Sequence, residues 1–379
     1  MRTVVLYAHD LDPETPTGIA HYFRHIIRGI LETDTSEVGI TYRVGASPNP
    51  SGTHRPPPEV PVLRLPWPRK ALHLAWSASR RPLADRALGR PDLIHVLAPF
   101  TRVPSQARVV YTVHDLWPLT SPAWYSRKER WMFEKAIGDA TRRATLLIAD
   151  SQATADQVTT RLGVETSRIR VVHLAVDDIF FRAPDPGEVD RVCRTHQLEP
   201  GRYLIVVGSV STRKNLRPVV EALAQMTHRS PPVTLVAAGP PGIGFEATQQ
   251  LVRQRGLEAT VRFTGWLPRE DLPPLVSGAA GLLHPSADEG FGLTPLEAMA
   301  CGVPTAVSNA GALPEVCGDA AILVDPHDPD AWAEAISRLL EDDDLRATLI
   351  ARGCTRAAGF RWHRVASETI AVHRAALDF

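Results

Sequence analysis

The sequence has few of the features that mark the more specialised protein classes. Its four cysteines, Cys193, Cys301, Cys317 and Cys354, are far apart and none forms a Cys-x-x-Cys pair. Neither a disulfide framework nor a zinc site is expected. Basic and acidic residues balance at 42 each, so the formal net charge is zero. No overall field therefore favours nucleic acid or a membrane. No apolar run approaches the roughly 18–20 residues of a membrane span. The opening run Thr3–Ala8 is too short and badly flanked for a signal peptide, and a soluble cytoplasmic protein is the expectation. There is no Gly-x-Gly-x-x-Gly turn, which weakens a dinucleotide dehydrogenase reading, and no His-Glu-x-x-His metal pair. Gly239-Pro-Pro-Gly-Ile-Gly244 is glycine-rich but lacks the Lys and Ser/Thr of a phosphate-binding P-loop.

What is present is alternation. A chain of 379 residues is long for one core, so two domains are expected. Short apolar runs suit strands at Val4–Ala8, Leu93–Leu97, Val109–Val113, Leu146–Ala149 and Ile169–Val172. A second series runs through Leu204–Val207, Val233–Ala237, Val261–Thr264, Gly281–His284, Thr305–Val307 and Ile322–Val324. Nearly continuous β-branched runs are what parallel strands buried on both faces need. Amphipathic stretches between them, such as Asp328–Leu340, predict βαβ units and doubly wound α/β sheets. Phe181-Arg-Ala-Pro-Asp-Pro-Gly187 is the expected linker. It gives an N-terminal Rossmann-like domain over 1–181, a C-terminal one over 188–359, and a closing segment over 360–379. Pro48 to Pro68 reads as a loop.

Four segments carry candidate chemistry. In Asp288-Glu-Gly-Phe-Gly-Leu-Thr-Pro-Leu-Glu-Ala-Met-Ala-Cys-Gly302, Thr294 suits an N-cap, Pro295 the first helical position and Gly302 the stop. Thr294 with Glu297 makes a capping box, which is one reading of Glu297. The other is a site: glycines 290 and 292 expose backbone N–H groups to an anion, with Glu289 and Glu297 on either side to hold hydroxyls. In Val206-Val-Gly-Ser-Val-Ser-Thr-Arg-Lys-Asn-Leu216, a strand ends at Gly208 and a helix is expected from Asn215. Arg213 and Lys214 then sit by a helix N-terminus, which disfavours cations. They are either a solvated surface pair or a seat for a diphosphate, the Arg as a planar fork and the Lys as a point charge. His114 and Asp115 fall at a strand end, where α/β folds place ligands, though a structural His is the commoner case. Pro16-Thr-Gly18 resembles a βα turn that lets backbone approach phosphate. Asp342-Asp-Asp344 reads as a helix start rather than a metal site.

Together these segments resemble the retaining glycosyltransferases of family 4, which have the GT-B architecture of two Rossmann-like domains facing a cleft. The most specific element is Glu289-x7-Glu297 within Glu289–Pro304. Arg213-Lys-Asn215 is similar to that family's diphosphate loop. Val113-His-Asp-Leu116 and Ala149-Asp-Ser-Gln152 look like its N-terminal landmarks, and Phe360-Arg-Trp362 like the start of its closing helix. The resemblance implies that Glu297 holds the donor ribose, and that Glu289 grips the donor sugar and distal phosphate with the backbone of Gly290, Phe291, Gly292, Leu293 and Thr294. It implies that Arg213 and Lys214 stabilise the departing diphosphate, that His114 reaches the transferred sugar, and that Gly18 leaves room for phosphate. Trp266 and Leu267 would flank the nucleobase. Ser209 stands where many members carry an Arg, and Arg213 beside Lys214 supplies that charge in a subset of them.

The expected function is transfer of a hexose, mannose by analogy with the Arg-Lys-Asn subset, from a nucleotide sugar such as GDP-mannose. The acceptor would be a glycan, a lipid-linked sugar or a natural product. No metal and no separate cofactor are expected. Alternatives are a nucleotide-sugar epimerase, which needs no acceptor, and a non-catalytic sugar-nucleotide-binding subunit. Arg64, Arg69, Lys70, Arg80, Arg81, Arg86 and Arg90, with Trp67 and Trp76 interleaved and Asp85 the sole acid, form a basic segment. It is either a solvated face or a peripheral membrane contact.

Overall fold

The computed structural model describes residues 2–8, 18–34, 38–46, 62–64, 75–76, 83–98, 103–228 and 232–379. The chain divides into two compact units, residues 1–174 with 361–379, and residues 175–360.

The first unit holds strands β1 (Arg2–Ala8), β2 (Ile40–Ala46), β3 (Val62–Arg64), β4 (Leu93–Val96), β5 (Arg108–Val113), β6 (Leu146–Ala149) and β7 (Ile169–Val171). They form one sheet in the order β3-β2-β1-β4-β5-β6-β7, and every pairing is parallel. All four side chains of β4 and all four of β6 are buried, as strands covered on both faces must be. Each such Leu, Ile or Val contributes about 1.5–3 kcal/mol on leaving water. The helix Trp362–Asp378 belongs to this unit, burying Val365, Ala366, Ile370, Val372, Ala376 and Leu377. Its Ala366 packs against Gly29 of the helix Gly18–Glu32, where a β-carbon would stand 3.2 Å away.

The second unit holds β8 (Tyr203–Val207), β9 (Thr234–Ala238), β10 (Val261–Gly265), β11 (Gly281–His284), β12 (Thr305–Ser308) and β13 (Ala321–Val324). Their order is β10-β9-β8-β11-β12-β13, again all parallel. The order reverses beside β1 in one sheet and beside β8 in the other. At such switch points the connections leave in opposite directions and open a crevice beyond the strand ends.

Several expectations need correction. β2 and β3 were not expected, and β3 lies inside the stretch read as a loop. Arg43 stands exposed in the middle of β2, which breaks the apolar run that marks a buried strand. The first unit ends at 174 rather than 181, because Ala175–Phe181 is bonded into the second unit. The Val176 N–H donates to the Phe360 carbonyl at 3.2 Å, and Arg269 donates to Asp177. Phe181–Gly187 is therefore no linker between units, and Asp185 caps the helix Pro186–Thr195. Asp342 caps the helix Asp343–Ala358 as expected, through Leu345 N–H at 2.9 Å.

Among the described residues no helix is long and apolar enough to cross a membrane. Of the basic segment, Trp67, Arg69, Lys70, Arg80, Arg81 and the side chain of Arg64 lie outside the described residues, as do Pro16 and Thr17. Trp76 is fully buried, edge-on to Tyr7 at 5.6 Å, so it cannot contribute to a lipid-facing surface.

Candidate functional site

The second unit gathers its charged side chains at the crevice between β8 and β11. After β8 comes one 3-10 turn, Thr212–Lys214, and the helix begins only at Arg217, not at Asn215. The cations thus do not occupy the first turn of a helix. Lys214 is 5% exposed, which rules out a solvated pair. Gly208 makes this possible: its φ is +121°, and a β-carbon there would sit 3.0 Å from Lys214 Cε. Ser209 and its neighbours are zipped to the glycine-rich stretch after β9. Val210 N–H donates to Pro240 O at 2.9 Å, and Gly242 N–H to Val210 O at 2.9 Å. Asn215, in left-handed conformation, donates through Nδ2 to Pro285 O at 3.2 Å and Pro326 O at 2.7 Å. One amide therefore ties the loops after β8, β11 and β13 together.

Glu289 is the hub. Its Oε1 accepts from Arg213 Nη1 at 2.8 Å, Lys214 Nζ at 2.8 Å, Ser286 Oγ at 2.9 Å and His284 Nε2 at 3.1 Å. Burial pushes the carboxyl up, but Lys214 and Arg213, with His284, outweigh it and hold Glu289 well below the usual carboxylate range. Burial lowers the Lys214 ammonium, and Glu289 opposes that. Burial, reinforced by Lys214, lowers His284 to about 4, so the imidazole is neutral and donates its Nε2–H. With His284 neutral, two cations face one carboxylate and the cluster keeps one positive charge.

Beyond the hub the chain turns into the helix Leu293–Ala300. Its N-cap is Gly292, at φ +106°, with no side-chain cap. The capping-box reading of Thr294 and Glu297 is thereby overturned. A β-carbon at Gly292 would lie 2.6 Å from Leu313 Cδ2, so packing fixes the helix start where local sequence suggested a later one. The amides of Leu293 and Thr294 lie in the first helical turn, where N–H groups have no intrahelical partner. Gly290 is half-buried and Phe291 is buried edge-on to Phe360 at 5.8 Å. Glu297 is raised by burial, against the pull of Arg269. Arg269 lies 3.8 Å from Glu297 Oε1 and donates to Asp177 Oδ2 from Nη2 at 2.9 Å and Nε at 3.2 Å. Trp266, after β10, is 58% exposed, while Leu267 packs with the buried cluster around Tyr203 and Leu275.

In the first unit, Gly18 opens the helix Gly18–Glu32 and is exposed. His114 follows β5. Its Nδ1 lies 2.6 Å from Asp150 Oδ2 and its Nε2 3.0 Å from the Leu97 carbonyl. Both ring nitrogens thus face acceptors, the arrangement of an imidazolium. Burial opposes the charge, but Asp150 and the Leu97 carbonyl raise His114 above its ordinary value. Ser151 caps the helix Gln152–Leu162, which anchors the neighbouring Asp150.

Beside His114 runs a buried polar chain. Tyr42 OH contacts His373 Nδ1 at 3.0 Å, His373 Nε2 contacts His95 Nδ1 at 2.9 Å, and His95 Nε2 contacts Thr112 Oγ1 at 2.9 Å. Tyr22 OH reaches Thr112 Oγ1 at 3.1 Å, and its ring stands edge-on to His114 at 4.7 Å. Sequence reading gave no role to His95, His373, His284, Ser286, Asp177 or Arg269, and met Asp150 only within the landmark Ala149-Asp-Ser-Gln152. Only His284 carried a signal, a polar residue ending an apolar run.

This arrangement has known counterparts. The pattern of glycosyl transferases group 1 matches residues 194–356, and that of glycosyltransferase family 4 matches residues 16–179. The O-antigen chain mannosyltransferase B of Escherichia coli is 33% identical over 270 residues, 70% of each chain. A D-inositol 3-phosphate glycosyltransferase of Salinispora arenicola is 30% identical over 316 residues, 77% of this chain and 70% of that one. Anabaena HepE, solved with UDP and glucose, superposes with a TM-score of 0.75 at 20% identity, covering 99% of this chain and 100% of its own. Sucrose-phosphate synthase from Thermosynechococcus elongatus gives 0.76 at 22% identity, covering 99% of both. The fold is GT-B, and the chain belongs to the glycosyl transferases of group 1, family 4, enzymes that transfer hexoses from nucleotide sugars.

Proposed function

We propose that this enzyme transfers mannose from a nucleotide-mannose donor with retained anomeric configuration and without a metal ion. The carrying observation is the Arg213–Lys214–Glu289 cluster at the β8/β11 switch point. When the donor's anomeric C–O bond breaks, negative charge gathers on the departing diphosphate. Arg213, Lys214 and the helix-start amides of Leu293 and Thr294 are preorganised to take up that charge. These cations and amides play the part that magnesium plays elsewhere. Glu289 is fixed through Oε1, and its other oxygen is left to accept a sugar hydroxyl. Glu297 takes the ribose hydroxyls, Leu267 and Trp266 flank the base, and Ser209 lines the phosphate side. Gly18 and His114 are the candidates of the first unit for contact with substrate. No residue is assigned as a nucleophile.

Mannose is favoured by the Escherichia coli relative, and guanine is the base proposed first. The acceptor is a glycan or lipid-linked sugar. An inositol phosphate acceptor is the second reading, favoured by the Salinispora relative.

Lys214→Met tests the cluster. Arg213, His284 and Ser286 still satisfy Glu289, so the fold persists. Turnover with the productive donor should fall about 10²–10³-fold, as for loss of one preorganised donor. Near-normal turnover would overturn the assignment. A thermal-shift panel of GDP, UDP, ADP and dTDP identifies the base, because a ligand bound only by the native state raises stability.

A further inference from the structure

Glu297 is half-buried, with 14% of its side chain exposed, yet among the described residues its carboxylate takes no hydrogen bond. A cation within 4 Å is the guanidinium of Arg269, at 3.8 Å. That guanidinium is itself fixed on three sides: Nη2 and Nε hold Asp177 Oδ2, and the planar group lies over Phe180 at 5.5 Å. Asp177 is in turn pinned, because its side chain accepts the Ile179 N–H at 3.3 Å. Arg269 thus stands as a rigid post beside a carboxylate that is otherwise unsupported. Lys214 also bears on Glu297, but its ammonium is committed to Glu289 at 2.8 Å.

We propose that Arg269 is a positioning residue for donor binding, which holds Glu297 as an ionised carboxylate turned to receive two hydroxyls. This rests on the reading of Glu297 as the ribose acceptor and adds the residue on which that role depends. A vicinal diol donates two hydrogen bonds, and only the ionised carboxylate offers an acceptor oxygen to each. Burial and the Asp177 charge both favour the neutral acid, which would turn one oxygen into a donor. The Arg269 charge opposes them. The groups that set this balance are Arg269, Asp177 and Lys214.

The test measures the dissociation constant of the nucleoside diphosphate that stabilises the protein most in the panel above, by calorimetry from pH 6.5 to 8.5. Wild type should vary little. Arg269→Met should bind about 10-fold more weakly at pH 6.5, and the deficit should shrink as pH rises and Glu297 ionises unaided. Arg269→Lys, which keeps the charge, should stay within about threefold of wild type. Asp177→Asn keeps an acceptor for Ile179 but sets an amide N–H against the Arg269 guanidinium, so it should loosen that post and reproduce part of the Arg269→Met deficit at pH 6.5. Glu297→Gln separates the two readings. If it binds normally, the ribose assignment is wrong. If it binds weakly at every pH while Arg269→Met matches wild type, the ribose assignment stands and the role of Arg269 is refuted. A pH-independent loss in Arg269→Met also refutes it, since direct contact or altered packing would then be the cause.

Discussion

Lowering the pH from 7.5 to 5.0 should destabilise the first unit through two histidines in its core. His95 and His373 are fully buried and hydrogen-bonded to each other, and their remaining nitrogens face Thr112 and Tyr42. Burial, with His373 and His114 nearby, holds His95 well below its ordinary value, and burial alone lowers His373 to about 3. The unfolded chain, with histidines near 6.5, takes up protons that the folded unit refuses. The stabilisation is therefore complete above about pH 6.5 and drains away as pH falls towards the folded-state values. At pH 5.0 the unfolded state gains about 2 kcal/mol per histidine, about 4 kcal/mol for the pair. His114 works in the opposite sense, since its folded-state value is raised, but it is common to the proteins compared. The comparison is wild type against His95→Gln/His373→Gln, whose amides still donate and accept but carry no charge. Urea titrations read by pulsed hydrogen exchange in peptides covering β5 and the helix Trp362–Asp378 report on this unit. The double variant should be weaker at pH 7.5, by about 1–2 kcal/mol for poorer hydrogen-bond geometry. Between pH 7.5 and 5.0 it should lose about 4 kcal/mol less than wild type. Parallel losses, within about 1 kcal/mol, would refute the claim that the folded unit keeps these two rings neutral.

Two further outcomes follow from the donor side. Gly208→Ala places a β-carbon 3.0 Å from Lys214 Cε at a φ of +121°. It should cost about 1–3 kcal/mol in strain, seen as a lower Tm, and should reduce turnover further by moving the ammonium. Chelation with EDTA should leave turnover unchanged, and added magnesium should not raise it. A loss restored by magnesium would refute the claim that Arg213, Lys214 and the amides suffice.

The readable parts of this chain were those where one stretch of sequence decides the outcome. β6 and β11 are buried along their length, so composition alone marked them. β3 is three residues among prolines, and its place in the sheet comes from pairing with β2. The Thr294–Glu297 pair carries a valid local capping signal that tertiary packing overrides at Gly292. Glu289, Arg213 and Lys214 stood out in the sequence as candidate site residues, but their convergence on a single oxygen was not legible. Asp177 and Arg269 lie 92 positions apart, and nothing local announces that they meet.

Asn215 has a consequence for how this enzyme can be altered. Its amide bonds brace the loops after β8, β11 and β13, while the turn Gly265–Pro268 that follows β10 is joined to the loop after β9 by a bridge between Gly239 and Gly265. The turn proposed to meet the base is therefore held by different contacts from those that Asn215 makes. Exchanging that short turn should leave the Asn215 brace in place, so the base end of the proposed donor site is open to redesign through it.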